Sequence, residues 1–409
     1  MKWPQVSIEE IRATTRHSLV GGPFGSDLTT RDYVEEGVPV IRGTNLPDNC
    51  SFRDDDFVFV RDEKADALKA NNAHPGDVVF TQRGTLGQVG LIPAEPRFPR
   101  YLVSQSQMKL TVDPAKADAR FVFYFFRHPR TVQSIKNRAI TSGVPHINLG
   151  ILRDFKLPLP PLNTQREIVA TLSAYDEFME NNRRRMELLE ESARLLYREW
   201  FVRLRFPGHE HARLTHGIPQ GWEKKRLDAI AEVNRATLPS SFDGEIEYVD
   251  IASVVPGQIT ETTTFAFQDA PSRARRIVQH GDIIWSCVRP NRRSHAVIWK
   301  PSDNLIVSTG FAVITPSGAP STFIYFATTT DAFVGYLENH ARGAAYPAVV
   351  AADFERAEIL VPPKRLLQLF DEFSEPTFSQ IQNLRQQNQK LRAARDLLLP
   401  RLMSGEMAV

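Results

Sequence analysis

Two stretches of the chain carry apolar residues at alternating steps of four and three, which is the spacing of a coiled-coil seam. The first seam contains Ile168, Leu172, Tyr175, Met179, Asn182, Met186, Leu189, Ala193, Leu196 and Trp200. The second contains Phe370, Ile381, Leu384, Asn388, Leu391, Leu398 and Leu402. We expect two long helices that pack on each other antiparallel and hold one domain at each end. Two unrelated surface helices, each packed on its own domain, are the alternative.

The ends of the first helix have recognisable signals. Thr164 and Glu167 have the spacing of a capping box, and Pro207 with Gly208 ends the helical pattern. A continuous helix over 164–204 would span roughly 60 Å. In the second seam, Pro376 is expected to break or kink the first turns.

Between the helical stretches the pattern is mixed. Short β-rich runs such as "VPVIRG", "GDVVFTQ" and "GDIIWSCV" are bounded by Gly, Pro, Asn and Asp, and aromatic helical segments lie near 119–137 and 321–339. This pattern predicts α/β domains, each with a strongly curved sheet.

The mixed region occurs in two similar copies, which form an internal repeat. "AHPGDVVFTQRGTLGQVGLI" (73–92) corresponds to "VQHGDIIWSCVRPNRRSHAVI" (278–298), and further matches in the same order lie about 200 positions apart. The repeat predicts a first α/β domain over 1–160, a long-helix spacer over 161–206, a second α/β domain over 207–363 and a second long-helix spacer over 364–409.

Composition and charge limit which partners, compartments and sites are possible. Fifty basic against 48 acidic residues give a net charge of +2, which excludes a uniformly basic nucleic-acid coat but allows local basic patches. The N-terminus has no apolar signal region, and no run approaches the length of a membrane span. Cys50 and Cys287 suggest neither a disulfide framework nor a zinc site. We expect a cytoplasmic protein.

No catalytic signature is convincing. "GGPFGS" at 21–26 is not a dinucleotide-binding loop, and no phosphate-binding P-loop is present. "EKK" at 223–225 has nuclease-like spacing but no aspartate placed before it, and the ten histidines are scattered. We therefore expect no enzymatic activity, no bound cofactor and no metal in this chain.

Polar and basic residues on loops are the remaining candidates for function. Arg, Asn and Gln can bond bidentately to guanine and adenine edges, and further basic residues hold phosphates. The predicted DNA-binding residues are Arg42, Thr44, Asn45, Gln82, Arg83, Gln105, Gln107, His146 and Asn148 in the first copy, and Arg273, Arg275, Arg276, Arg289, Asn291, Arg292, Arg293, Arg342 and Tyr346 in the second. Merely solvated loops are the alternative. Since the two sets differ, two DNA-reading domains would read different sequences.

These motifs together resemble the specificity subunits of type I restriction–modification systems. The resemblance rests on "GGPFGSDL", "GVPVIRGTNL", "GDVVFTQRGTLGQVG" and "SGVPHINLGILRDFKLPLPPLNTQREI" with the long helix that follows, and it covers essentially the whole chain. The second copy departs from it, because "GAAYPAVVAADF" lacks the usual polar residues and "VPPKRLLQLF" has no glutamine at the position of Gln165.

The resemblance implies two target-recognition domains, each reading half of a bipartite asymmetric DNA site, with the helices docking two adenine methyltransferase subunits. Those partners would carry S-adenosylmethionine, and restriction subunits would use ATP and Mg to translocate and cut DNA. A recognition subunit of another modification or phage-defence system, a coiled-coil scaffold that binds proteins, and a self-contained enzyme are the alternatives.

Overall fold

The structure is a computed structural model that describes residues 3–407. The chain divides into two compact units. Residues up to Asn181 together with those from Gln387 form the first unit, and Asn182–Gln386 form the second. Each unit therefore takes one stretch from each of the two long helices.

The first unit combines a strand-rich domain with helices. Its strands are β1 (Gln5–Ser7), β2 (Leu19–Gly21), β3 (Tyr33–Val34), β4 (Val38–Ile41), β5 (Val58–Val60), β6 (Asn72–Ala73), β7 (Val78–Thr81), β8 (Val89–Leu91), β9 (Tyr101–Val103), β10 (Gln107–Leu110) and β11 (Lys156–Pro158). Its helices are α1 (Ile8–Ile11), α2 (Asp62–Ala67), α3 (Ala119–Arg127), α4 (Pro129–Asn137), α5 (Leu149–Arg153) and the first part of α6 (Leu162–Tyr197).

These strands form two main sheets and a ribbon. An antiparallel four-stranded sheet has the order β2-β10-β7-β8, and a five-stranded sheet has the order β3-β5-β4-β9-β6 with β4 and β9 parallel. The ribbon pairs β1 with β11. The expectation of one strongly curved sheet is therefore wrong. The strands form two sheets instead, and β7 packs against a different core on each of its faces. Val78 and Phe80 face a core that includes α3, whereas Val79 faces a core with Tyr101 of the other sheet.

The second unit repeats this plan. Its strands are β12 (Leu214–Thr215), β13 (Ile218–Pro219), β14 (Glu223–Arg226), β15 (Ala231–Val233), β16 (Glu245–Val249), β17 (Val254–Val255), β18 (Gln258–Ile259), β19 (Thr263–Ala266), β20 (Ala274–Ile277), β21 (Ile283–Ser286), β22 (His295–Val297), β23 (Leu305–Ser308), β24 (Phe311–Pro316) and β25 (Glu358–Val361). Its helices are α7 (Ser321–Thr328), α8 (Asp331–His340), α9 (Ala351–Glu355) and the first part of α10 (Lys364–Ser404).

The strand orders of the two units match. The order β15-β24-β21-β22 corresponds to β2-β10-β7-β8, and β19-β16-β23-β20 contains the parallel pair β16/β23 where the first unit has β4/β9. Along β21, Ile283 and Trp285 face the core with α7, while Ile284 faces the other sheet. In both copies the strand that follows "GD" therefore begins with consecutive apolar residues instead of alternating between apolar and polar residues, because the strand is covered by a core on both faces. The internal repeat and the α/β fold class are confirmed.

The two long helices contact each other antiparallel within each unit. In the first unit the Asn388 side-chain amide donates to the Met179 carbonyl at 3.0 Å, and Arg395 pairs with Asp176 at 2.5 Å. In the second, the rings of Phe370 and Phe201 lie 5.2 Å apart. All predicted seam residues are buried or half-buried. The helix pair is therefore confirmed, and the alternative of unrelated surface helices is wrong.

Two expectations about the helix ends are wrong. Helix α6 begins at Leu162 rather than at the predicted cap Thr164, and it continues through a π-helical turn at Arg198–Val202. Helix α10 passes through Pro376 without a break. Glu372, whose carbonyl loses its helical donor there, lies on the exposed side, and Thr377 donates its hydroxyl to the Phe373 carbonyl at 2.8 Å. The helix therefore tolerates the proline because the Glu372 carbonyl, which loses its donor, lies on the exposed side where water can solvate it.

Within residues 3–407, no helix combines the length and the apolar character that crossing a membrane requires.

Candidate nucleic-acid interface

The candidate residues of the first unit follow the ends of neighbouring strands. The parallel strands β4 and β9 end at Ile41 and Val103, so residues 42–45 and 104–107 emerge at the same sheet edge, and the Ser104 N–H donates to the Ile41 carbonyl at 3.1 Å. Residues 82–86, after β7, join this edge. We call residues 21–28, 42–45, 82–86, 104–107 and 140–149 the first loop cluster.

Backbone hydrogen bonds hold the first loop cluster together. The Gln82 N–H donates to the Ser106 carbonyl at 2.8 Å, and the Ile147 N–H donates to the Gln82 carbonyl at 2.9 Å. Arg83 forms an antiparallel bridge with His146. The sequence motifs "TQRGT", "SQSQ" and "SGVPHIN", which are far apart in the chain, therefore form one surface.

Exposure within this cluster is uneven. Thr44, Arg83, Gln105 and Asn148 are exposed, and Arg42, Gln82 and His146 are half-buried. Asn148 caps helix α5, because its side chain accepts from the Ile151 N–H at 2.9 Å. These side chains, except where they are used for capping, are accessible to a ligand.

Two predicted residues lie inside the fold. Asn45 is fully buried; its amide oxygen accepts from the Arg42 N–H at 2.9 Å and its amide nitrogen donates to the Asp55 carbonyl at 2.9 Å. Gln107 is 1% exposed and hydrogen-bonds the Ser104 hydroxyl. Both side chains satisfy backbone or neighbouring groups that folding buries. This structure therefore corrects their assignment as base contacts.

The second unit forms an equivalent surface. We call residues 234–238, 273–276, 287–294, 308–310 and 342–350 the second loop cluster. The Val349 N–H donates to the Cys287 carbonyl at 2.9 Å, and the Cys287 N–H donates to the Gly310 carbonyl at 2.8 Å. The Thr309 N–H donates to the Arg273 carbonyl at 2.8 Å. The same sheet edge and the same kinds of connections are thus used twice.

Several arginines of the second loop cluster have partners within the unit. The Arg289 guanidinium lies 4.5 Å from the centre of the exposed Tyr346 ring and donates to the Ala345 carbonyl at 3.2 Å. Arg275 covers Phe267, and Arg293 forms an ion pair with the exposed Asp331. Arg276, half-buried, donates to the Thr237 hydroxyl at 3.2 Å. Arg273, Asn291, Arg292 and Arg342 are exposed.

The turn between β21 and β22 has an unusual backbone. Arg289 and Arg293 both adopt left-handed φ values, 53° and 54°, on either side of Pro290–Arg292. Non-glycine residues in this region cost of order 1–3 kcal/mol and are concentrated at functional sites. The turn thus exposes Asn291 and Arg292 in an unfavourable backbone conformation, which the stability of the turn does not explain.

Sequence reasoning missed the exposed apolar residues on the first loop cluster. Phe24 is 86% exposed, Val144 57% and Leu149 37%. The only signal for Phe24 was a lone aromatic residue among glycines and a proline in "GGPFGS". Polar and basic residue types, which indicate base and phosphate contacts, do not point to a phenylalanine.

Neither cluster has the features of a metal or thiol centre. Among residues 3–407, no group of three His, Cys, Asp or Glu side chains lies close enough together to hold a metal ion. Both cysteines are free thiols, and burial raises the pKa of the Cys287 thiol to about 11. This thiol is therefore protonated at neutral pH.

Comparison with known proteins gives a consistent result. Residues 27–191 match the family model described as "Type I restriction modification DNA specificity domain". The type I restriction enzyme MjaIX specificity subunit of Methanocaldococcus jannaschii is 24% identical over 344 residues, covering 82% of this chain and 78% of that protein. The type I restriction enzyme HindI specificity subunit of Haemophilus influenzae is 21% identical over 418 residues, covering 85% of this chain and 90% of that protein.

A solved structure has the same fold. The S subunit of a type I restriction–modification system from M. genitalium superposes with a TM-score of 0.55 at 18% sequence identity, over 98% of this chain and 96% of that chain. The duplicated α/β plan with long helices is therefore shared over the full described length.

Proposed function

We propose that the chain is a type I restriction–modification specificity subunit and that it supplies the DNA sequence specificity of such a complex. Each loop cluster contacts one half of a bipartite, asymmetric site. The chain itself has a non-catalytic role, as specificity subunits do, and other subunits of the complex carry the chemistry.

One observation carries this proposal. Two units with the same strand order end in loop clusters at the same sheet edge, yet the two clusters differ in chemistry. The first presents amides with Arg83, and the second presents Arg273, Asn291, Arg292 and Arg342. A shared scaffold with different exposed side chains is what reading two unrelated half-sites requires, because base edges are distinguished by donor and acceptor patterns.

The clusters should contribute differently to binding. The first is suited to adenine through Gln82 and to guanine through Arg83, whereas both amide protons of Gln105 are used on the Gly25 and Leu28 carbonyls. The second has more free guanidinium groups, so more of its contacts should go to phosphates. Binding of the second half-site should therefore depend more strongly on salt.

The outer faces of the helices support docking of partner subunits. In the second unit Leu188 and Leu195 are 69% and 40% exposed and seven residues apart on α6, and Val202, seven residues further in the π-helical turn, is 55% exposed. Apolar side chains at heptad spacing outside the helix pair are suited to packing against another protein. We propose that two adenine methyltransferase subunits dock on the helices, that S-adenosylmethionine, ATP and Mg are bound by partner subunits alone, and that the complex acts in the cytoplasm.

The test is co-purification of the full chain with its methyltransferase subunit, followed by sequencing of the methylated positions. We expect a complex with two methyltransferase copies that methylates adenine in one bipartite site, and no methylation by either protein alone. A stable complex without sequence-specific DNA binding would support a protein-binding scaffold instead. Activity of the purified single chain would contradict its non-catalytic role.

A further inference from the structure

Phe24 is the most exposed large apolar residue of the described chain, with 86% of its side chain accessible. It lies at the tip of the loop between β2 and the short turn at Gly25–Asp27. Exposing a phenylalanine to water forgoes the stabilisation that its burial would bring. A single exposed apolar residue is common on protein surfaces, so its surroundings decide whether it has a function.

The loop that carries Phe24 is held in place on both sides. The Gln105 side-chain amide donates to the Leu28 carbonyl at 2.8 Å and also to the Gly25 carbonyl. The Asn71 side-chain amide donates to the Gly21 carbonyl at 2.6 Å. A Cβ on Gly22 would lie 2.0 Å from the Ser104 carbonyl oxygen, so this position needs glycine. The ring is thus presented by an anchored loop.

The anchor belongs to the first loop cluster. Gln105 holds the loop through its side chain, while its own carbonyl accepts from the Gln82 side-chain amide at 2.6 Å. A Cβ placed on Gly21 would lie 3.3 Å from the Gln82 Oε1 atom and 3.9 Å from Leu149. Phe24 therefore rises from the same surface as the residues proposed to contact bases.

The second unit has no counterpart of this ring. Leu19 of β2 opposes Leu110, and Val233 of β15 opposes Ile314 at the equivalent position of the sheet. Phe24 lies five residues after Leu19, and the residue five positions after Val233 is Leu238, which is buried. The exposed ring is therefore a property of the first unit alone.

We propose that Phe24 contacts bases of the first half-site as an apolar wedge at one base step. This inference rests on the proposed function. Apolar side chains inserted at a base step partly unstack it, and the energy of this deformation depends on the sequence at that step. The exposed Asp27 on the same loop makes a phosphate contact at the loop tip unfavourable, so the proposed contact is made by the apolar ring.

The wedge adds a kind of specificity that hydrogen bonds do not supply. Gln82 and Arg83 distinguish bases by donor and acceptor pattern, whereas Phe24 selects a step that unstacks readily, such as a pyrimidine–purine step. The first half-site should therefore contain one base step at which the preferred sequence is the one that deforms most easily. The neighbouring positions should be recognised by hydrogen bonds.

The experiment uses the full chain assembled with its methyltransferase subunits and a library of randomised sites. Phe24→Ala should weaken binding by about tenfold and flatten the preference at one step of the first half-site, leaving the second half-site unchanged. Phe24→Leu should retain most of the affinity. Leu214→Ala removes a 62% exposed apolar side chain outside both loop clusters and should change affinity by less than about twofold.

A second measurement detects the unstacked step directly. 2-Aminopurine placed in turn along the first half-site should brighten at the step contacted by Phe24 and stay dim there with Phe24→Ala at saturating protein. Any signal from the adenine that is methylated should persist in the variant.

Unchanged affinity and preference in Phe24→Ala, with a specific wild-type complex, would overturn the wedge and leave the proposed function intact. Impaired assembly with the methyltransferase in the absence of DNA would also overturn it, because Phe24 would then be a protein contact. A wild-type complex without sequence preference would instead overturn the proposed function.

Discussion

A buried ion pair distinguishes the first unit from the second and allows a quantitative test. The Lys109 ammonium lies 3.2 Å from the Asp77 carboxylate, and both side chains are almost fully buried. Thr111 donates its hydroxyl to the same carboxylate at 2.5 Å. Val313 occupies the position of Lys109 in the second unit, since it opposes Ile284 as Lys109 opposes Val79. We consider Lys109→Met, which removes the charge and retains most of the volume.

The magnitude follows from the geometry. At an effective dielectric constant of about 20, the attraction at this distance is about 5 kcal/mol. Breaking a buried pair by removing one partner costs about 3–5 kcal/mol. We therefore expect Lys109→Met to destabilise the first unit by about 3–5 kcal/mol.

The second unit provides the opposite case. Burial raises the pKa of Asp282, whose Oδ1 atom lacks a well-formed hydrogen bond. The folded state therefore holds this proton more tightly than the unfolded state. The resulting stabilisation is complete below the ordinary pKa of about 4 and is lost as pH rises through the folded pKa. Asp282→Asn should consequently leave stability unchanged or increase it at pH 7.

The assay is native-state hydrogen exchange with peptides covering 77–92 and 282–298, corrected for intrinsic exchange at each pH. The two peptides report on the two units of one molecule, so each is the control for the other. Lys116→Met removes an exposed partner of Asp113, 3.6 Å away, and should cost less than about 1 kcal/mol. A Lys109→Met effect below about 1 kcal/mol would refute the reasoning.

Three further predictions concern the loops and the helices. Replacing Arg83 or Arg292 by alanine should cost about 1–3 kcal/mol and relax one position of the site if the residue contacts a base, or weaken all sequences alike if it contacts a phosphate; unchanged binding to a site library would remove that residue from the interface. Gln165→Leu should destabilise the first unit by about 1–3 kcal/mol, measured by exchange of the 119–127 helix, because the buried Gln165 amide bonds the Asp118 N–H and the Pro160 carbonyl, both at 2.8 Å. Residues 1–206 should form a two-fold dimer that, together with the methyltransferase subunit, directs methylation to an inverted repeat of the first half-site, and Asn182→Leu should strengthen that dimer; a strictly monomeric fragment in sedimentation, or methylation of the original asymmetric site, would contradict this.

The sequence predicted elements whose signals are local or repeated. Seam positions were identifiable because helical spacing continues over many turns, and the β7/β21 match was identifiable because both strands are covered on both faces. The helix start at Leu162 was not identifiable, because the group that secures it is Gln165, which reaches back to Asp118 in another element. No local pattern encodes such a contact.

The same limit applied to the candidate site. "TQRGT" and "SGVPHIN" were recognised separately, but only the fold shows that Arg83 and His146 form a bridge. Asn45 and Gln107 have the residue types of base contacts, yet each satisfies a buried partner instead. Residue type therefore predicted which kinds of contact the surface can make, whereas burial determines which side chains are accessible to make them.

The helix ends show how far the two halves have diverged. In the first unit, Leu399, Leu402 and Met403 of α10 complete the core against the strand-rich domain. In the second, Tyr197 and Phe201 of the first long helix do so, with Phe201 5.1 Å from Phe323. A dimer of residues 1–206 would have to place these aromatic rings where the first unit now holds aliphatic side chains. Overpacking of this kind costs about 1–3 kcal/mol. The intact chain avoids this cost because each helix end packs on the domain for which it is shaped, and the duplicated halves are therefore no longer interchangeable.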